Sequence, residues 1–229
     1  MGADHAVGRA PGARIAWWPW ALIAGGASLF VGGMLHPEQA PAASEAAGLA
    51  AWIGDPLWIP AHTLILLSSI LFVLGLVGLL THRPDLPVPA RRAGWLAVAG
   101  AALSAVENVP HLAATTESAA AAAGHATPLL HAHMTLALIS FPLFGLSLGA
   151  LALLSGGRLA YPLFGALAAI GGTAWAIGPW AVGPFAIESL DVLFIVGMLM
   201  TLWFVAVGVR ALLRRRSDAP PATTAPAGA

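Results

Sequence analysis

Glu107 and His111 stand four residues apart, so on a helix they share one face, about one turn from each other. A carboxylate and an imidazole placed together in apolar surroundings can hold a metal ion or hand on a proton. Further groups of the same kind recur along the chain: His36 with Glu38, His62, His131 with His133, and Glu188 with Asp191. Each stands where a long apolar run begins or ends. The candidate metal ligands are therefore His36, His62, Glu107, His111, His131, His133 and Asp191. Glu107 is the candidate catalytic acid or base. Imidazole and carboxylate without thiolate suit Zn, Fe, Mn or Cu(II). The chain has no cysteine, which excludes disulfides, thiolate metal sites, iron–sulfur clusters and cysteine nucleophiles.

Position weights these residues differently. His131 and His133 are two apart and point to different sides of a helix. His133 lies deeper in its apolar run and is expected to face inward. Glu188 and Asp191 are i, i+3 neighbours at a helix start, where the dipole already accounts for a carboxylate such as Glu188. Asp191 lies further in and is the better candidate partner. His125 is expected to face solvent.

Three function classes are compatible with this set. The first is a membrane metal centre, a hydrolase or an oxidoreductase, with a ligand position open to activate water. No HExxH is present, so no known metalloenzyme motif supports it. The second is a b-type haem held axially by two of His62, His111 and His133, exchanging electrons with a quinone-like molecule while Glu107 accepts a proton. The third is an accessory membrane subunit, without catalysis, in which these groups form a polar hydrogen-bonded cap. A transporter fits poorly, because no ionisable side chain lies in the other half of any span.

The elements that must position these residues follow from composition. The chain is 59% hydrophobic and 9% charged, with a mean hydropathy of +0.83. Those values describe an all-α integral membrane protein embedded in the lipid bilayer. They exclude a basic nucleic-acid-binding surface. Six spans are expected, at about 15–35, 61–81, 92–109, 129–154, 159–177 and 189–209. Together they form a single transmembrane domain, 15–213, between an N-terminal tail, 1–14, and a basic, then disordered, C-terminal tail, 214–229. The first span begins basic, as a signal peptide does, but no small-x-small cleavage site follows it directly.

Arginine sets the direction. There is no lysine, and all ten basic residues are arginines. They fall at Arg9 and Arg14, at Arg83, Arg91 and Arg92, at Arg158, and at Arg210, Arg214, Arg215 and Arg216. The positive-inside rule makes those segments cytoplasmic. Both termini are then inside the plasma membrane of a bacterial-type cell, and the acid- and histidine-rich connections face outward. The run Arg214–Arg216 reads as a stop and a headgroup contact.

Spans two and four resemble each other at an offset of 72 residues, Pro56-Leu57 against Pro128-Leu129 and Ser68 against Ser140. Spans two to five are expected to pack as a four-helix bundle, flanked by spans one and six. The candidate site is then expected at the extracytoplasmic ends of the helices. A short interfacial helix is expected within the connection 36–60, and a weakly specified loop over 113–127.

Overall fold

A computed structural model describes residues 17–38, 42–182, 184, 185, 187 and 190–217. The expected N-terminal tail, with Arg9 and Arg14, lies outside the described residues, as do Glu188 and residues 218–229. The regular structure described is all helical. It comprises α1 (Trp18–Met34), α2 (Glu45–Ile53), α3 (Trp58–His82), α4 (Val88–Ala113), a 3₁₀ turn (Ala114–Glu117), α5 (Ser118–Ala122), α6 (Pro128–Leu154), α7 (Pro162–Val182), α8 (Val192–Gly197) and α9 (Leu199–Ser217).

Five helical stretches among the described residues are long and apolar enough to cross a membrane. They are α3, α4 with its continuation to Ala122, α6, α7, and α8 with α9. The chain is a multi-pass membrane protein. The expectation of six spans is corrected at the first of them. Helix α1 has 17 residues. At 1.5 Å per residue it reaches about 25 Å, short of a hydrocarbon core of about 30 Å. When abutting helices are joined, the described residues form seven helical stretches, because α2 adds one outside the expected spans.

The expected bundle of spans two to five is also corrected. Helices α3, α4 and α6 pack in succession and α6 packs on α7, but α7 continues onto α9, α9 onto α1, and α1 back onto α3. The packing is thus a ring of six helices, α1–α3–α4–α6–α7–α9. Aromatic side chains from three of them fill its middle: Phe72 of α3 stacks on Phe204 of α9 at 4.0 Å between centroids and on Phe144 of α6 at 5.7 Å.

Small residues set the heights at which neighbours meet. A Cβ on Gly25 would touch Phe72, and one on Gly75 would touch Leu22, so α1 and α3 run antiparallel with paired numbers adding to 97. Gly94 lies against Leu80, and Gly100 against the backbone of Phe144, which fixes α3 on α4 and α4 on α6. The closest approach is between α6 and α7, where Gly145 and Gly172 meet backbone to backbone. No side chain there can swing aside. Gly145→Ala should cost about 3 kcal/mol or more by overpacking, seen as a lower thermal unfolding midpoint in detergent. Proline adds to the same interface. Pro142 has no N–H to give to Leu138 O, and the Trp180 indole from α7 donates to that carbonyl instead, at 3.0 Å.

Arg83, Arg158, Arg210 and Arg214 gather at one end. The turn Ser155–Arg158 carries Gly156 and Gly157 at φ +56° and +76°, a region in which only glycine is unstrained. Arg210 donates to Gly157 O at 2.7 Å, and Arg83 and Arg214 each lie 3.5 Å from Arg158 O. Arg83 also pairs with Asp85, whose carboxyl it holds down to about 2. The pair is exposed on the Asp85 side and contributes little to stability.

Candidate metal centre

The three helix registers continue to the other end of the ring, and there they bring four histidines to one level. His36 follows α1, His62 stands in the second turn of α3, His111 in the last turn of α4 and His133 in the second turn of α6. The α1–α3 pairing that joins Gly25 to Phe72 also joins His36 to His62, with ring centroids 4.8 Å apart. The α3–α4 pairing of Leu80 with Gly94 brings His62 to His111, at 4.0 Å. The α4–α6 pairing of Gly100 with Phe144 brings His111 to His133, at 3.5 Å. Two groups of potential ligands result, His36–His62–His111 and Glu107–His111–His133, each with its ligand atoms within 4.8 Å of one another.

Both groups are buried except at His36, which is half-buried. Glu107 and His62 have no exposed surface, and His111 and His133 keep under a tenth of theirs. The expected position at exposed helix ends is therefore corrected: the cluster is roofed. Helix α2, capped at its start by Ser44, lies against α5. Ile53, Trp58, Ala114, Ala121 and Leu130 close into a second small core, with Leu49 and Trp52 packed on it. The segment 113–127, expected to be weakly specified, is held by a buried acid. Glu117 accepts from Leu129 N at 2.8 Å and Leu130 N at 3.1 Å, capping the first turn of α6. Glu117→Ala removes both bonds and should cost about 2 kcal/mol or more. The check is a lower unfolding midpoint than that of Glu45→Ala, which alters an exposed end of α2.

The hydrogen bonds settle which ring nitrogens are free. His62 donates from Nδ1 to Trp58 O at 2.7 Å, one turn back on its own helix. His36 donates from Nδ1 to Pro37 O at 3.0 Å. A nitrogen that donates to a carbonyl carries the proton, so Nε2 of each ring presents a lone pair. The His62 Nε2 is buried with no hydrogen-bond partner, and so is the His111 Nε2. Nδ1 of His111 lies 3.9 Å from Glu107 Oε1, too long for a direct hydrogen bond. Glu107 itself is held on both sides. His133 Nδ1 donates to its Oε1, and Asn108 Nδ2 donates to its Oε2 at 3.3 Å and to Ser104 O at 2.7 Å. Outside the spans, burial lowers the His36 imidazole below its ordinary value, against the bond to Pro37, which raises it. His36 therefore offers a neutral ring.

Ring orientation separates the two groups. His36, His62 and His111 are set at 54° to 65° to one another, so their planes can converge on a point. His111 and His133 are stacked, 17° apart. Rings stacked face to face direct their in-plane lone pairs along separate, near-parallel planes, so these two do not converge as the first three do. The first trio has the geometry of a ligand set. Glu107 and His133 form a hydrogen-bonded pair beside it and, with His111, a second group that could hold an ion.

The other expected site residues lie elsewhere. His131 is exposed, with Nδ1 bonded to Thr127 O at 2.8 Å. Asp191 is exposed at the start of α8 and belongs to neither group. His125 and Glu38 are exposed. Two contributors went unmarked in the sequence reading. Trp58 spans the site, its indole donating to His111 O at 3.1 Å and its ring 4.1 Å from His62. Asn108 fixes the far oxygen of Glu107. The i, i+4 spacing of Trp58 and His62, and the adjacency of Asn108 to Glu107, are the signals that could have found them. Comparison with known protein families, curated proteins and solved structures finds no match for this chain.

Proposed function

We propose that the protein is a membrane metalloprotein that binds one divalent transition ion through Nε2 of His36, His62 and His111. The observation that carries this reading is the pair of buried, unpartnered Nε2 atoms on His62 and His111, with His62 and His36 turned by Nδ1 bonds to backbone carbonyls. Each orphaned buried ring nitrogen costs about 1–3 kcal/mol. Metal-ligating histidines almost always make this outer bond, which sets the tautomer and the ring direction. Three imidazoles suit zinc or copper and leave a fourth position open. The ion would supply Lewis acidity there. Glu107 and His133 would hold and move the proton that such chemistry releases. That is the arrangement of a metal-dependent hydrolase or oxidoreductase. A roof of Trp52, Trp58 and Leu49 favours a small apolar substrate.

Haem is the weaker reading. His111 lies against both His62 and His133, at 4.0 and 3.5 Å, and fills the space a macrocycle would need between two axial ligands. The test is elemental analysis with an absorption spectrum of the same purified protein. One equivalent of zinc or copper without a Soret band is expected. A Soret band would favour haem. Protein with no metal, and no uptake of added zinc or copper, would leave only the structural polar cap.

The arginine-bearing end is assigned to the cytoplasm by the positive-inside rule, which puts the metal centre in the outer half of the membrane. The absence of cysteine makes this easy to check. Ala123→Cys, exposed near the histidines, should react with a membrane-impermeant maleimide in intact cells, and Asp85→Cys should react only after lysis. The opposite pattern reverses the orientation.

A further inference from the structure

The arginine end contains a pocket that the metal reading does not use. Trp18, Arg83, Leu159, Val207, Arg210 and Arg214 line it. Its polar groups are nearly all donors. Arg210 gives one N–H to Gly157 O and sits 5.1 Å over the Tyr161 ring, and Arg214 reaches only Arg158 O, at 3.5 Å. Among the described residues, Arg83 alone of the three guanidiniums has a carboxylate, Asp85. A second observation is independent of charge: the indole N–H of Trp18, on a side chain 4% exposed, has no acceptor among the described residues. A buried unpaired donor is costly, and native structures rarely keep one without a ligand or a water.

Two guanidiniums with no carboxylate partner among the described residues, a third that is paired, and the side chain of Trp18 therefore line one concavity at the arginine-bearing end of α9. We propose that this pocket binds a phosphate group, that of an anionic phospholipid. An oxyanion supplies acceptors to several donors at once, and arginine forks match its geometry. A neutral headgroup would bring its own cation against Arg210 and Arg214. The lipid would brace α1, α9 and the turn at Gly157, which meet here without a covalent tie.

The experiment uses the full chain in detergent, titrated separately with phosphatidylglycerol, phosphatidylcholine and inorganic phosphate. The readouts are bound lipid by native mass spectrometry and the thermal midpoint. Phosphatidylglycerol should bind and raise the midpoint, and phosphatidylcholine should not. A juxtamembrane arginine near an anionic surface contributes roughly fivefold in affinity. Arg214→Gln should weaken binding by about that factor, and Arg210→Gln with Arg214→Gln by roughly thirtyfold. Trp18→Phe keeps the ring and removes the donor, and should weaken binding without changing the charge. Arg92→Gln, exposed and outside the pocket, should change nothing. Equal stabilisation by inorganic phosphate, with the same variant dependence, keeps the site and makes its occupant a soluble anion. Binding that survives the double variant, or that falls equally in Arg92→Gln, overturns the proposal in favour of a diffuse basic face.

Discussion

His62→Ala should purify as a folded protein with its metal lost. The His62 imidazole has no polar role besides its Nδ1 bond to Trp58 O, and as a helix carbonyl Trp58 O keeps its ordinary backbone partner. The fold therefore loses packing but no obligatory hydrogen bond. Removing a residue that only orients a ligand already costs 10- to 100-fold in metal affinity, so deleting a ligand should exceed about a hundredfold. A tightly held ion stabilises the folded state by about 4 kcal/mol when its concentration is a thousand times its dissociation constant. Its loss should lower the unfolding midpoint by on the order of 10 °C. A strong chelator should reproduce that shift in the wild type and do nothing further to His62→Ala. The control is His131→Ala, which changes an exposed histidine outside both groups. If His131→Ala loses as much metal as His62→Ala, the ligand set assigned here is wrong.

The second large effect belongs to Glu107. Its carboxylate is fully buried and receives His133 on one oxygen and Asn108 on the other. Glu107→Leu leaves the His133 donor buried without an acceptor and Asn108 with Ser104 O alone, and should cost about 3–5 kcal/mol, the penalty for breaking a buried pair from one side. Glu107→Gln keeps an oxygen for His133 and should fold close to normally. It would still remove the negative charge beside His111 Nδ1, so metal affinity should fall about 10- to 100-fold. The contrast separates two roles that one substitution would confuse. Thermal midpoints should rank wild type, Gln, Leu in descending order, and bound metal should already be weakened at Gln. Should Glu107→Leu match the wild type in both measurements, Glu107 neither holds the fold nor serves the centre.

Much of this was legible before the structure. Apolar runs of sufficient length marked α3, α4, α6, α7 and the stretch of α8 with α9, because the bilayer demands length and tolerates little charge. Segregation of arginine from histidine separated two ends, and Arg83, Arg158, Arg210 and Arg214 do meet around one turn. Two readings failed for physical reasons. Hydropathy measures how apolar a segment is and not how many residues are helical, so the run from Ile15 to Leu35 read as a span while the described helix is 17 residues. Spacing along one helix says nothing about its neighbours, so the ring through α1 and α9 was invisible, and a four-helix core was expected in its place.

The sequence by itself determined an apolar, cysteine-free, multi-pass helical protein, with imidazole and carboxylate but no thiolate to offer a metal. Those conclusions follow from composition and run length, which do not depend on how helices meet. The sequence already placed His36, His62, His111 and His133 at comparable depth; only the tertiary structure decided that their rings meet, because contact is set by where Gly25, Gly94 and Gly100 let neighbouring helices approach. It likewise decided burial. Glu117, Ser44 and the small core around Trp58 fold two connections into a roof, through contacts between residues far apart in the chain that no local pattern encodes.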